Sequence, residues 1–165
     1  MTVAFMRALQ AREYETANRE AGAVVPPGFA EHLDDFIRYR LSQLDADPSI
    51  QKWLGRVMVL TDESGARHVM GSIGFHGPPD EQGRLEIGYR VEPAYRRRGY
   101  AREAVQGMFD WAASTHGIQR FVASISPTNE PSLRLAAGFG FVETGSHMDE
   151  IDGLEIEFET DWPRA

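Results

Sequence analysis

The most constraining feature of this chain is an abrupt change of period around residue 96. Leu85, Ile87, Tyr89 and Val91 alternate with Glu86, Gly88, Arg90 and Glu92, the period of a strand whose two faces differ. Arg96-Arg97-Arg98-Gly99-Tyr100-Ala101-Arg102 follows, and from about Ala101 to His116 the apolar residues Ala101, Val105, Met108, Phe109 and Ala112 fall at helical spacing. A strand, a basic glycine turn and a helix form a phosphate-binding arrangement. The first N–H groups of the helix have no partner within it, and its dipole adds positive charge there. Gly99 opens a backbone conformation closed to other residues and lets an anion approach the main chain.

Charge sharpens the point. The 165-residue chain has a formal net charge of −8, which argues against a general nucleic-acid binder. Yet four of its 17 basic residues fall between Arg96 and Arg102. A basic focus on an acidic chain marks a local anion site; the alternative is a solvated arginine patch at a helix start. Arginine is poorly placed at a helix N-terminus, so an anionic ligand would relieve a cost. With no cysteine, a disulfide framework, a thiolate nucleophile and cysteine-ligated zinc are excluded. No apolar run is long enough to span a bilayer and no signal-peptide pattern opens the chain, so the expectation is a cytoplasmic protein without a membrane partner. Length and composition predict one domain over residues 1–165.

Along the chain, residues 4–20 read as one amphipathic helix, stopped near Gly22 and Pro26-Pro27, and residues 30–45 as a second, broken at Asp47-Pro48. Strands are expected at Val57–Leu60, Val69–Phe75, Leu85–Val91 and Phe121–Ile125. Asn129–Ala137 reads as a short helix, and Phe141–Met148 with Leu154–Phe158 as a closing strand pair joined by residues 149–153. This order implies a mixed α/β sheet with helices on both faces and a right-handed crossover around Gly99.

These residues resemble the GNAT superfamily of N-acetyltransferases. Its coenzyme A loop, Arg/Gln-x-x-Gly-x-Gly/Ala, is matched by Arg96-Arg97-Arg98-Gly99-Tyr100-Ala101. The strand Gly88-Tyr89-Arg90-Val91-Glu92-Pro93 precedes it, and Asn129-Glu-Pro-Ser132 and Gly138-Phe-Gly-Phe141 follow in the family's order. The match runs from roughly Val57 to Trp162. Glu86-Ile-Gly-Tyr89, Gly99-Tyr-Ala-Arg-Glu-Ala-Val105 and Asn129-x-x-Ser132 look most like the ribosomal-protein alanine N-acetyltransferase branch, whose members do not share one substrate. The resemblance implies the acyl-CoA N-acyltransferase fold, with a mostly antiparallel, splayed central sheet. It also implies acetyl-CoA as co-substrate and an amine, small molecule or peptide, as acceptor. It leaves room for a homodimer, which no residue decides.

By the same resemblance, the backbone amides of Arg97, Arg98, Gly99, Tyr100, Ala101 and Arg102 hold the coenzyme pyrophosphate. Arginine side chains of the loop, Arg96 included, add charge-assisted bonds. The backbone from Tyr89 through Arg90 to Val91 pairs with the pantetheine arm, and an amide near Val91 polarises the thioester carbonyl. Asn129 matches the family asparagine that contacts the coenzyme arm, against the alternative of a plain helix cap. Ser132 contacts the coenzyme or sits in the first helical turn.

Acylation needs a neutral amine, so a proton acceptor helps. Glu86, on the polar face of the strand before the loop, is the candidate base; the alternative is an outward-facing glutamate. Arg90 on the same face could pair with it and weaken it. His76 could relay a proton or be a surface histidine, and the five histidines form no metal pattern. Two family positions depart. The tyrosine that protonates the leaving thiolate is replaced by Ala136, and a glutamate base used by some relatives by Ser124. The N-terminal half is the least regular part. Only Thr2–Phe5 offers a strand before the first helix, so the family's first strand is very short or missing. Residues 20–47 occupy the region that walls the acceptor pocket in relatives. The competing reading is a non-catalytic acyl-CoA-binding module on the same scaffold. A P-loop nucleotide binder fits poorly, because the loop lacks lysine followed by serine or threonine.

Overall fold

The period-2 and helical patterns are realised as five α-helices and six strands among the described residues, which in the computed structural model are 1–31, 33–149 and 153–163. The helices are α1 (Val3–Gln10), α2 (Tyr14–Ala21), α3 (Asp34–Ala46), α4 (Tyr100–His116) and α5 (Glu130–Gly138). The strands are β1 (Arg56–Thr61), β2 (Arg67–Phe75), β3 (Arg84–Val91), β4 (Arg120–Ile125), β5 (Val142–Asp149) and β6 (Gly153–Asp161). The hydrogen-bonded strand order is β1-β2-β3-β4-β6-β5. β1–β2, β4–β6 and β5–β6 pair antiparallel; β3–β4, joined by the predicted crossover helix, is parallel. The fold is therefore the expected mixed sheet, mostly antiparallel and flanked by helices. The turn expected within residues 149–153 lies partly outside the described residues.

The chain divides into two compact units, Met1–Gly74 with Tyr89–Ala101, and Phe75–Gly88 with Arg102–Ala165. In the first, α1 to α3 bury Phe5, Met6, Leu9, Ile37 and Leu44 with Leu54 and Val69. The single helix expected over residues 4–20 is broken. Arg12 adopts a left-handed conformation (φ 59°), and the Glu13 N–H donates to Ala8 O at 2.9 Å, ending α1. The Arg12 guanidinium is held by Leu9 O at 2.9 Å and by both oxygens of Asp34 at 3.0 and 2.7 Å. No glycine marked this break, so the helical period ran through it.

Thr2–Phe5 forms no strand. Thr2 caps α1, its hydroxyl accepting from the Phe5 N–H at 3.0 Å. The chain instead makes one parallel bridge to β2, at Val24–His68. Within the same unit the end of β3 lies hard against β2. The Glu92 N–H donates to Met70 O at 2.9 Å, and a Cβ on Gly71 would come 2.2 Å from Arg90 O. Only a glycine admits that approach.

The second unit is built on stacked aromatic rings. Phe109 of α4 lies 3.9 Å from Phe121 of β4 between ring centroids, Phe121 6.0 Å from Phe75, and Phe109 5.6 Å from Phe139. All four rings are buried, and offset or edge contacts of this kind add to the area they bury. Leu85 and Ile87 face this core, while Glu86 and Gly88 face away, as the alternation required. The β3–β4 ladder pairs Arg84–Arg120, Leu85–Phe121 and Glu86–Val122 and goes no further, whereas β4 stays paired to β6 as far as Ile125. The parallel pair therefore parts after Glu86. Among the described residues no helix is long and apolar enough to cross a membrane.

Gly71→Ala should destabilise the protein by about 1–3 kcal/mol, the usual cost of forcing atoms into a packed site. A denaturant midpoint equal to that of the wild type would show that β2 and β3 relax without loss.

Candidate functional site

Two groups of candidate residues take shape, one in each unit. The first is the basic turn. After a single 3-10 turn at Pro93–Tyr95, Arg96 is extended, and its Nε donates to Val91 O at 2.8 Å. This bond ties the loop to the end of β3. Arg97 (φ 61°) and Gly99 (φ 86°) are both left-handed, and α4 begins at Tyr100. Left-handed residues at alternate positions turn successive N–H groups toward one side, an arrangement suited to anions. Arg96 to Gly99 are exposed, and a Cβ at Gly99 would meet nothing within 4 Å. The sequence anticipated the glycine at this turn; the left-handed arginine two residues earlier it did not. At the β3 end, Val91 is buried, while Arg90 pairs with Glu92 at 4.0 Å.

The second group surrounds Glu86. The His76 N–H donates to Glu86 O at 2.9 Å, so strand pairing sets the two side chains beside each other. His76 Nδ1 lies 3.3 Å from Glu86 Oε2. Gly88 makes this pairing fit, because a Cβ there would lie 2.7 Å from His76 Nε2. Ser124 on β4 hydrogen-bonds the same carboxylate, and His147 on β5 adds positive charge. Burial alone would raise the pKa of Glu86. The His76 hydrogen bond and charge, the Ser124 hydroxyl and His147 outweigh it and hold the carboxyl below its ordinary 4.5. The pair expected between Glu86 and Arg90 is thus replaced by Glu86–His76 and Arg90–Glu92. Further along this polar face, Arg84 bridges Asp80 at 2.8 Å and Glu159 at 3.3 Å, and Arg120 also pairs with Glu159.

The other expected site residues in the second unit have local partners. Asn129 caps α5, its Oδ1 accepting from the Ser132 N–H at 3.3 Å. The Arg102 guanidinium lies 5.2 Å from the Phe139 ring centre and against Gly138, where a Cβ would approach it to 2.8 Å. Ala136 is buried, so α5 offers no proton donor at that position. Among the described residues no group of three or more His, Asp or Glu side chains could hold a metal ion.

Sequence reading noticed His76 and Ser124 but did not connect them to Glu86. The link is the backbone hydrogen bond from His76 to Glu86, and the sequence signal for it is the Gly77-Pro78-Pro79 turn that follows His76.

The Acetyltransferase (GNAT) domain model matches residues 7–142, most of the chain, and the protein belongs to this family. The match reaches well into the N-terminal half, beyond the segment that carried the resemblance in sequence. The uncharacterized N-acetyltransferase p20 of Bacillus licheniformis is 31% identical over 107 residues, covering 65% of this chain and 59% of the relative. The chain spans about half the length of the curated relatives it matches. Among solved structures, the ribosomal-protein-S5-alanine acetyltransferase of Vibrio fischeri superposes with a TM-score of 0.60 at 20% identity, over 95% of this chain and 88% of that one. The microcin C7 self-immunity acetyltransferase MccE, in complex with acetyl-CoA and AMP, gives 0.62 at 15% identity, over 97% and 88%. At these identities the two structures speak for the fold.

Titration of the Glu86 carboxyl carbon by NMR should give a pKa below 4.5, and His76→Ala should raise it. Because the folded value is depressed, the pairing stabilises the protein above the ordinary carboxyl range. That stability is lost as pH falls through the folded value. An unchanged Glu86 titration in His76→Ala would remove the histidine as the cause.

Proposed function

We propose that this protein is an N-acetyltransferase that moves an acetyl group from acetyl-CoA to a primary amine by direct attack on the thioester. The observation that carries the donor half is the turn from Arg96 to Ala101. Its exposed arginines, left-handed Arg97 and Gly99, and the N-terminus of α4 suit a pyrophosphate. Open space at Gly99, where a side chain would stand, fits the same ligand. In this reading the amides of Arg97, Arg98, Gly99, Tyr100, Ala101 and Arg102 hold phosphate oxygens, and the β3 backbone from Tyr89 to Val91 lines the coenzyme arm. Arg96 braces Val91, whose amide polarises the thioester carbonyl. Asn129 and Ser132 keep a role toward the coenzyme arm beside the cap they form.

The acceptor half rests on the polar cluster around Glu86, which supplies the proton acceptor that amine attack needs. Family membership and the complex of a structural neighbour with acetyl-CoA support the donor. The S5 alanine acetyltransferase shows that a protein of this fold can carry an amine-directed name. The acidic balance of the chain favours a cationic amine on encounter. A single domain, a cytoplasmic setting and no nucleic-acid or membrane partner belong to the same proposal.

One observation favours a second reading, a non-catalytic acyl-CoA-binding module. Ala136 stands buried where relatives carry the tyrosine acid. Thioester consumption with a panel of peptides, polyamines and aminoglycosides separates the two, turnover on any of them excluding the module.

Acetyl-CoA should raise the melting temperature of the wild type. Gly99→Val should weaken its binding roughly 5–30-fold, the equivalent of about 1–2 kcal/mol of left-handed strain at a branched residue. Calorimetric affinity equal to that of the wild type would sink the loop assignment.

A further inference from the structure

We propose that the first unit carries a further binding site, a cavity that takes a small zwitterion: a free amino acid or dipeptide with an apolar side chain. The site goes beyond the acetyltransferase reading and does not rest on it. The cavity has a volume of about 650 Å³. Small-molecule sites usually fall between about 300 and 1,000 Å³. Its described lining residues come from the start of α1, the end of α2 and the segment from Gln51 to Val57 that leads into β1. All of them belong to the first unit, and none to the basic turn.

The space follows from the way the N-terminal segment folds. β1 is an edge strand of the sheet, and Thr2 caps α1 instead of pairing with it, so the start of β1 meets helices rather than another strand. The Thr2 hydroxyl donates to Glu20 Oε2 at 2.9 Å, which ties the start of α1 to the end of α2 and holds that carboxylate at the rim. On the strand side, a Cβ on Gly74 would lie 2.6 Å from the Cα of Gly55, so the segment leading into β1 is pinned against β2. Both walls are thus fixed before any ligand enters.

Three kinds of surface meet in this cavity. Phe5 is buried and Val57 half-buried, and with Ala21 they supply an apolar part. Glu20 brings one carboxylate from α2, while Lys52 and Arg56 bring two cations from the approach to β1. Arg56 Nη2 donates to Lys52 O at 3.3 Å, which holds the guanidinium against the end of the 3-10 turn Pro48–Lys52. Burial lowers the pKa of Arg56, the sign of a cation partly withdrawn from water, and an anionic group on a ligand would offset that cost. A ligand carboxylate answers Lys52 and Arg56 with charge-assisted bonds, its ammonium answers Glu20, and its side chain covers Phe5 and Val57. A ligand with a carboxylate alone would set like charge against Glu20. One with an amine alone would meet two cations. The mixed walls therefore select both charges in one molecule.

The test titrates the full chain, without acetyl-CoA, with L-leucine and with leucyl-leucine, followed by amide and methyl NMR. Saturable shifts centred on Phe5, Ala21 and Val57 are expected with at least one of these probes. 4-Methylpentanoate lacks the amine and 3-methylbutylamine lacks the carboxylate. Each should bind at least about 10-fold more weakly than leucine, having lost a charge-assisted contact. These comparisons use the wild type alone, so they hold whether or not any variant folds. Arg56→Gln should weaken binding by about 10-fold. Glu20→Gln and Lys52→Gln, at exposed positions, should weaken it by about 2- to 5-fold, with a loss that fades at high salt. No saturable shift with either probe at millimolar concentration overturns the proposal. So do analogues that bind as tightly as leucine, or shifts confined to the turn from Arg96 to Ala101. None of these results bears on whether the protein acetylates an amine.

Discussion

The backbone pairing of His76 with Glu86 is the constraint on which the candidate chemistry depends. In the second unit the His76 N–H meets Glu86 O; in the first the Glu92 N–H meets Met70 O. Side chains of a strand alternate with a period of two, so a slip of one residue would send Glu86 into the apolar layer and expose Leu85 and Ile87. The aromatic stack of Phe75, Phe109 and Phe121 makes such a slip costly, because Leu85 and Ile87 bury against that layer. Packing thereby fixes which residues of β3 can do chemistry, and pairing fixes what stands beside them.

Glycines serve this register at two points. Gly71 admits the carbonyl of Arg90, and Gly88 admits the ring of His76. Both are close approaches in which a Cβ would meet atoms well inside contact distance. Gly99 serves differently: its surroundings are open, and what it supplies is a left-handed turn. A glycine needed for its conformation and a glycine needed for its size look alike in a sequence, and only neighbouring atoms tell them apart.

Electrostatics divides the chain in the same way. The exposed arginines of the turn are spread at the N-terminus of α4, where the helix adds positive charge, and they form a strongly basic locus on an acidic chain. The polar face around Glu86 is mixed, with Arg84 and Arg120 taken up by Asp80 and Glu159, and the histidines placed against Glu86 and Glu155. Hydrogen bonding to His76 and Ser124 outweighs burial and holds Glu86 as an anion, which its place in a bare strand pattern could not foretell.

What the sequence determined by itself is whatever follows from local period and local chemistry. The alternation of Leu85 to Val91, the helical spacing after Gly99 and the order of Asn129 and Gly138-Phe139 were enough for the mixed sheet, the crossover and the family. Local signals failed where no local residue carried the information. The break between α1 and α2 lies at an arginine held by Asp34, far along the chain, and the bridge at Val24 depends on β2. Asn129 and Arg102 were legible as residues, but their contacts with Ser132, Gly138 and Phe139 were not. Only the tertiary structure decided that His76 and Ser124 meet at Glu86. They lie 10 and 38 positions away from it, and hydrogen bonds between strands, which no sequence period encodes, bring them together.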